Sequence, residues 1–175
     1  MRNFIFISPH FPDHYVCFIK ALRNNGFNVL GIGDCPFDSL NYELKGALND
    51  YYCCYDMDNF DREIEAVRYF RDKYGEIEYL ESLNEYWLEK DAKLREIFSV
   101  KNGVRPDELV YWQKKSLMKE KYQLAGLKTA KYTIVSDKNS LLNFINEVGY
   151  PVFIKPNIGV GAAGDYKIKS IEDVD

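Results

Sequence analysis

Short apolar runs alternate with amphipathic segments over the first hundred residues, and this alternation limits the possible folds more than any other feature. The run Phe4–Ile7 has no polar interruption, as expected of a strand that is buried on both faces. Residues at helical spacing follow it, and the same order then repeats. Strands that alternate with helices of this length form βαβ crossovers and a parallel sheet. The sequence therefore predicts an α/β fold with a parallel sheet.

Residues 1–105 are predicted to form a small, doubly wound, Rossmann-like domain. Gly26 and Gly75 follow two of its amphipathic segments and are expected to end those helices. Gly103 and Pro106 interrupt the pattern at the end of the domain. Further strands are predicted at residues 27–33, 50–55 and 77–83, and helices from residue 16 and over residues 58–74 and 86–98.

The second part of the chain changes pattern after Pro106. Residues 107–127 are helical in spacing, in one or two pieces that end at Gly126. A strand is predicted at Lys131–Val135, and a helix then starts at Ser136 or Asp137 and ends at Gly149. Strands at 151–155 and 166–169 enclose a glycine-rich segment.

Composition excludes several classes of protein. The hydrophobic fraction of 46% and the charged fraction of 29% are ordinary for a globular domain. The net charge of −4 argues against nucleic-acid binding, which needs a clustered basic face. No apolar run approaches the roughly 20 residues that span a membrane, and no signal-peptide cleavage site follows the first strand. The expected location is cytoplasmic.

Neither the cysteines nor the histidines have the spacing of a metal site. His10 and His14 are four residues apart, but Pro9 and Pro12 make their segment a loop, so helical spacing has no meaning there. The cysteines form no C-x-x-C pair and are predicted to be apolar core thiols without zinc or disulfides. They are Cys17, Cys35, Cys53 and Cys54.

Gly159-x-Gly161-x-x-Gly164 has the spacing of a dinucleotide fingerprint. A Walker A loop needs Lys and then Ser or Thr after its second glycine, but Gly164 is followed by Asp165 and Tyr166. A Rossmann fingerprint needs a helix after the loop, whereas the pattern here is that of a strand. The sequence instead predicts a hairpin, whose glycine-rich tip can lie over phosphates.

Lys155 comes just before this loop. Alternation places Phe153 and Lys155 on one face of the strand, and Val152 and Ile154 on the other, so Lys155 need not be in the core. A lysine there can balance phosphate charge as a point cation. A flexible hairpin tip with a surface lysine is the alternative.

The segments "YWQKKSLMKEKYQLAGLKTAKY" and "GYPVFIKPNIGVGAAG" resemble the ATP-grasp superfamily, in its carboxylate–amine ligase branch. That branch includes carbamoyl-phosphate-synthase-like and biotin-carboxylase-like proteins. The resemblance covers nearly the whole chain and is strongest from Trp112 to Gly164. It implies a pre-ATP-grasp domain at 1–105, a connecting helix at 106–128, and the first part of an α+β ATP-grasp subdomain at 129–175.

The resemblance also implies two nucleotide-binding lysines, Lys115 and Lys155. The family often has Asp before the first lysine, and Lys114 stands there, so either lysine fits, although Met118 favours Lys115. Both lie at the start of a predicted helix, where the macrodipole disfavours cations. A bound anion would compensate for that cost, while two solvated lysines within one longer helix are the alternative.

The remaining implied site residues cover the phosphates or face the substrate. Glu85 matches an acidic position that faces the active-site cleft in related proteins. Ala162 and Ala163 replace glycines of many members but keep the loop small. No catalytic or metal-binding residue is assigned. The implied phosphate-covering loop comprises Gly159, Gly161, Ala162, Ala163 and Gly164.

The activity that the resemblance implies is ligation of a small-molecule carboxylate to an amine or similar nucleophile. ATP would form an acyl phosphate with Mg²⁺, whose ligands are expected downstream of Asp175. Ser170 and Asp173 resemble a capping box, so the chain is expected to be an N-terminal piece, inactive alone and weak in ATP binding. A homodimer is an open possibility.

Two other functions fit the same pattern. One is a non-enzymatic α/β module that binds a nucleotide or small molecule, and the other is a nucleotide-sugar enzyme with a Rossmann-like half. The loop after the first strand holds Phe11, Asp13 and His14, which are interpreted as a plain connection in preference to substrate contacts.

Overall fold

The computed structural model describes residues 2–159 and 164–174. Contacts divide the chain into two compact units, Met1–Pro106 and Asp107–Asp175. Within the described residues, every helix is too short or too polar to cross a membrane.

The first unit is built on a parallel sheet of four strands in the order β3-β2-β1-β4. The register pairs Ile5 with Leu30 and with Leu80, so apolar residues of adjacent strands lie on the same face. This parallel α/β sheet is the fold class that the alternating pattern predicts. The strands are β1 Arg2–Ile7, β2 Phe27–Gly33, β3 Asp50–Cys53 and β4 Ile77–Glu81.

Helices cover both faces of this sheet. Phe4 and Phe6 of β1 pack into one core cluster, and Ile5 and Ile7 pack into the other. The first cluster includes residues of helices α1 Val16–Asn24 and α2 Tyr42–Ala47. The second includes residues of α3 Phe60–Tyr74 and α4 Leu88–Ile97. The doubly wound arrangement is therefore confirmed.

Local signals explain where these helices begin and end. Gly26 and Gly75 adopt φ of 80° and 88° just after α1 and α3, a conformation that favours glycine. Helix α2 was not predicted, because six residues give too short a pattern. Its signal is Asn41, whose side chain accepts a hydrogen bond of 2.7 Å from the Leu44 amide.

The described residues of the second unit form three α-helices and an antiparallel hairpin. In the hairpin Val152 pairs with Ile168, and both side chains are buried with Leu141 and Ile145. The elements are α5 Val110–Gln113, α6 Lys115–Leu124, α7 Lys138–Val148, β5 Val152–Ile154 and β6 Tyr166–Ile168. Short 3₁₀ helices lie at Asp13–Tyr15, Phe37–Ser39 and Ile171–Val174.

One predicted element of this unit is wrong. Lys131–Val135 was expected to be a strand, but it pairs with neither described sheet, and without a partner an extended segment forms no ladder. The possible break after α5 is confirmed, since Lys114 has an extended backbone with ψ of 111°. The strand after Gly164 is also confirmed, which rules out a helix at that position.

Candidate functional site

Lys155 lies one residue beyond β5, at the foot of the glycine-rich segment. Its Nζ is 2.8 Å from Asp165 Oδ2, and the two side chains are 48% and 21% exposed. Because Ile154 pairs with Tyr166 in an antiparallel hairpin, the following residue Lys155 lies opposite the preceding residue Asp165. Lys155, which the sequence predicted to lie outside the core, is therefore partly exposed. Its ion pair with Asp165 joins the two ends of the loop.

Lys115 reaches the same loop from α6. Its ammonium donates a hydrogen bond of 3.0 Å to the Gly159 carbonyl. Lys114 is the N-cap residue of α6, and its side chain is partly exposed. Of the two lysines that the sequence left open, Lys115 has a hydrogen bond to the described part of the loop.

Asn157 joins the start of α6 to the loop. Its side-chain Oδ1 accepts from the Ser116 amide at 3.0 Å, and its carbonyl accepts from the Lys115 amide at 2.9 Å. These amides belong to the first turn of the helix, where backbone donors lack partners within the helix. The chain itself thus satisfies two donors that an anion could otherwise take.

In the described part of the loop, Gly164 is the position where the structure favours glycine. Gly164 adopts φ of 79°, and a Cβ there would lie 3.2 Å from Pro156 Cγ. A side chain would therefore be strained by both the backbone and the proline. Gly161, Ala162 and Ala163, which the sequence assigned to the phosphate-covering loop, lie outside the described residues.

In the first unit, Glu85 lies in the turn between β4 and α4 and is exposed. The strand order reverses between β1 and β4, and doubly wound sheets bind ligands outside the carboxyl ends of strands at such a switch point. Glu85 follows β4, and the loop with Phe11, Asp13 and His14 follows β1. Both segments therefore flank the position where this fold accommodates a ligand.

A buried arginine fixes the backbone around the end of β4. The Arg95 side chain is fully buried, and it donates to the Leu80 carbonyl at 2.8 Å and to the Val104 carbonyl at 3.0 Å. Its Nη2 also lies 2.7 Å from Glu81 Oε2 and 4.0 Å from Asp91 Oδ2. One cation thus links α4, β4 and the segment that ends the unit.

Two carboxyl groups of this unit are buried, Asp91 beside the arginine and Glu63 beside Lys90. Asp91 Oδ2 accepts from the Ser82 amide at 3.0 Å and from its hydroxyl at 2.6 Å. Burial raises the pKa of Asp91 to about 7, although the Ser82 hydrogen bonds and Arg95 oppose that shift. Burial also raises the pKa of Glu63 to about 7, against the attraction of Lys90 at 3.6 Å. Both groups therefore titrate near neutral pH.

Sequence reasoning missed two residues of the loop region, Asp165 and Asn157. Counting across the predicted hairpin from Lys155 would have found Asp165, because antiparallel pairing places the two opposite each other. No local signal marks Asn157, because the Ser116 amide that it caps lies 41 residues earlier in the chain.

The comparisons with known proteins bear on the fold. The sequence matches no protein family model and no curated protein. Solved structures do match over 99% of the chain, at 17–19% identity. Examples are an L-amino acid ligase from Bacillus licheniformis, with a TM-score of 0.63, and an N5-carboxyaminoimidazole ribonucleotide synthetase from Thermotoga maritima, with a TM-score of 0.66.

A third match includes bound ligands. It is the biotin carboxylase domain of 2-oxoglutarate carboxylase from Hydrogenobacter thermophilus, in complex with MgADP, ADP and bicarbonate, with a TM-score of 0.72. At such identities the likeness establishes a shared fold. The chain spans 38–42% of the length of these three solved chains.

Proposed function

We propose that this chain is part of an ATP-dependent ligase that joins a carboxylate to an amine or a similar nucleophile through an acyl phosphate. The main support is the convergence of two lysines on one loop, Lys115 through Gly159 and Lys155 through its pair with Asp165. The similar solved structures include a ligase, a synthetase and a biotin carboxylase domain with MgADP, which favours the same reaction class.

In this proposal the loop and its lysines hold the polyphosphate of ATP. Lys155 is half exposed, so it can exchange Asp165 for a phosphate oxygen at little cost, since exposed ion pairs are weak. Lys115 sits on a helix whose start is tied to the loop by Asn157, so the two cations keep their separation. Bound ATP supplies the phosphoryl group that activates the carboxylate.

The same proposal gives each region a role. Residues 1–105 form the domain that precedes the nucleotide-binding part. Residues 106–128 connect that domain to the nucleotide-binding subdomain, which begins with residues 129–175. Glu85 faces the substrate at the carboxyl edge of the sheet. The ligands of Mg²⁺ lie outside the described residues.

The test is a substitution of the exposed lysine in the full-length gene product. Lys155→Ala should raise the KM for ATP and lower kcat/KM by about 10–150-fold, because a hydrogen bond to a charged group contributes about 1.5–3 kcal/mol. The assay is ADP release with panels of carboxylates and amines.

A matched control is available in Lys131, which forms an exposed pair with Glu147 at 2.9 Å in the same unit. Lys131→Ala should leave the ATP kinetics unchanged. Equal kinetics for the Lys155→Ala and Lys131→Ala proteins would refute the assignment of Lys155. Absence of any carboxylate-dependent ADP release across the panel would refute the ligase itself.

A further inference from the structure

We propose that His10, Asp34 and Cys35 form a Zn²⁺ site at the carboxyl edge of the sheet in the first unit. One ligand atom from each, a ring nitrogen, a carboxylate oxygen and a thiol sulfur, lie within 4.8 Å of one another. No other group of three such side chains this close occurs among residues 2–159 and 164–174. The site does not depend on the proposed ligase activity.

Parallel pairing of two adjacent strands creates this cluster. His10 is in the loop that follows β1, and Asp34 and Cys35 follow β2. The two loops leave the same edge of the sheet because the Ser8 amide donates to the Ile32 carbonyl at 2.7 Å. The sequence could not find the cluster from spacing alone, since its members are 24 or more positions apart except for the adjacent pair Asp34 and Cys35.

The backbone that carries Cys35 is held from the neighbouring strand. The Tyr51 hydroxyl and the Cys53 thiol donate to the Cys35 carbonyl at 2.7 Å and 3.2 Å. The Cys54 amide donates to the Gly33 carbonyl at 2.8 Å. The thiol of Cys35 is therefore carried on a fixed backbone, which is what a metal ligand requires.

The histidine ring is packed closely and incompletely satisfied. His10 Nε2 lies 3.0 Å from Asp34 Oδ1, while His10 Nδ1 is buried without a hydrogen-bond partner. A Cβ at Gly33 would lie 3.0 Å from Nδ1 and 2.5 Å from the Tyr51 hydroxyl, so glycine is what lets the ring sit there. The ring is thereby held with Nε2, the nitrogen that would bind the ion, beside Asp34.

The donor set fits zinc. Zn²⁺ takes histidine nitrogen and carboxylate oxygen at about 2.0–2.2 Å and cysteine sulfur at about 2.3 Å. The Nε2 and Oδ1 atoms are already 3.0 Å apart, close to the separation of two ligands of one ion. The Cys35 sulfur lies within 4.8 Å of the other two ligand atoms, so it has to move inward for all three to bind one ion at these bond lengths.

Charge and geometry favour an open site. A neutral imidazole, a carboxylate and a thiolate together cancel the charge of Zn²⁺, with the thiol proton released on binding. Three protein ligands leave a fourth tetrahedral position for water or another ligand. The half-exposed carboxylate of Asp34 gives the ion a route from solvent.

Metal titration of the reduced, metal-free protein tests this inference. In competition with a chromophoric chelator, the protein should bind one Zn²⁺ ion per chain. Co²⁺ bound in its place should give a thiolate-to-metal charge-transfer band. Cys35→Ser and His10→Gln should each weaken Zn²⁺ binding by more than about 100-fold, because altering groups behind the ligands already costs about 10–100-fold. Asp34→Asn alters a half-exposed side chain, so that variant is expected to fold.

The controls are the matched residues outside the cluster. Cys17→Ser removes an exposed thiol, and His14→Gln removes the neighbouring histidine, and neither should change the Zn²⁺ affinity. Absence of stoichiometric Zn²⁺ binding, a Co²⁺ band that survives Cys35→Ser, or equal losses in the two control variants would each overturn the proposal. In those cases His10 and Asp34 would form a simple polar contact.

Discussion

The two units differ in where they place their charged side chains. In the first unit Arg95, Asp91 and Glu63 are each 1% exposed or less and belong to α3 and α4, the helices on one face of the sheet. In the second unit the described core is a small cluster around Leu141, and Lys155 is 48% exposed. One unit uses charge to fix its backbone, and the other keeps charge where an incoming anion can reach it.

This difference implies a division of roles. A buried ion that loses its partner leaves an unpaired charge in the interior, so such a network tolerates little change. Exposed pairs are weak and exchange partners readily. The first unit is therefore expected to respond to charge substitutions through stability, and the second through ligand binding.

The largest effect is expected from Arg95→Leu in the first unit. The substitution leaves the Glu81 carboxylate and the Leu80 and Val104 carbonyls without this donor, and it removes the cation that lies 4.0 Å from Asp91. The free energy of unfolding should fall by about 3–5 kcal/mol. Urea denaturation followed by circular dichroism measures it.

The control for this prediction is Lys93 on the same helix, which forms an exposed pair with Glu89 at 2.6 Å. Lys93→Ala should change the free energy of unfolding by less than about 0.5 kcal/mol. A similar fall in the free energy of unfolding in both variants would show that the buried and exposed charges do not differ in their contribution to stability.

The next effect concerns pH. A glutamate in the unfolded chain has a pKa of about 4.3, whereas burial in the folded protein raises the pKa of Glu63 to about 7. Between these values the folded protein keeps a proton that the unfolded chain has released, so the free energy of unfolding falls as pH rises from about 4 to 7. Glu63→Gln should remove a pH dependence on the order of 3 kcal/mol. Denaturation curves at several pH values measure it.

Glu65 on the same helix is the control, since it is 48% exposed and pairs with Arg62. The Glu65→Gln protein should keep the pH profile of the parent. If Glu63→Gln keeps that profile too, Glu63 is ionised in the folded state across the whole range and the stated cause is wrong.

A smaller effect is expected in the second unit from Asn157→Ala. The Ser116 amide loses its acceptor, and removal of a helix cap costs about 0.5–2 kcal/mol. Thermal unfolding and amide exchange at Ser116 measure the loss. Asn157→Asp keeps an acceptor and should preserve protection, and the exposed Asn146→Ala should have no such effect. Unchanged exchange at Ser116 in Asn157→Ala would show that the side chain does not cap α6.

Periodicity was sufficient to predict the parallel sheet of the first unit, but not its short helix α2. Phe4–Ile7 alternates between the two core clusters, as only a strand covered on both faces does, and that pattern is visible in the chain itself. The weak point was Lys131–Val135, where β-branched residues predicted a strand that finds no partner in the described sheets. Strand formation depends on a neighbour, and propensity does not contain that information.

The candidate site was only partly predictable for a related reason. Lys155 could be placed by alternation within one strand, but its pairing with Asp165 and the contact of Lys115 with Gly159 join distant segments. The cluster of His10, Asp34 and Cys35 likewise depends on which strands are adjacent. Such contacts follow from topology, which a local pattern leaves open.

The cap on α6 also sets an order of events during folding. The Ser116 amide in its first turn donates to Asn157, which lies 41 positions later in the chain. The first turn of this helix therefore cannot form all its hydrogen bonds until that later segment has been synthesised. The opening residues of α6 should therefore gain structure late, together with the arrival of the hairpin, and not as an early independent helix.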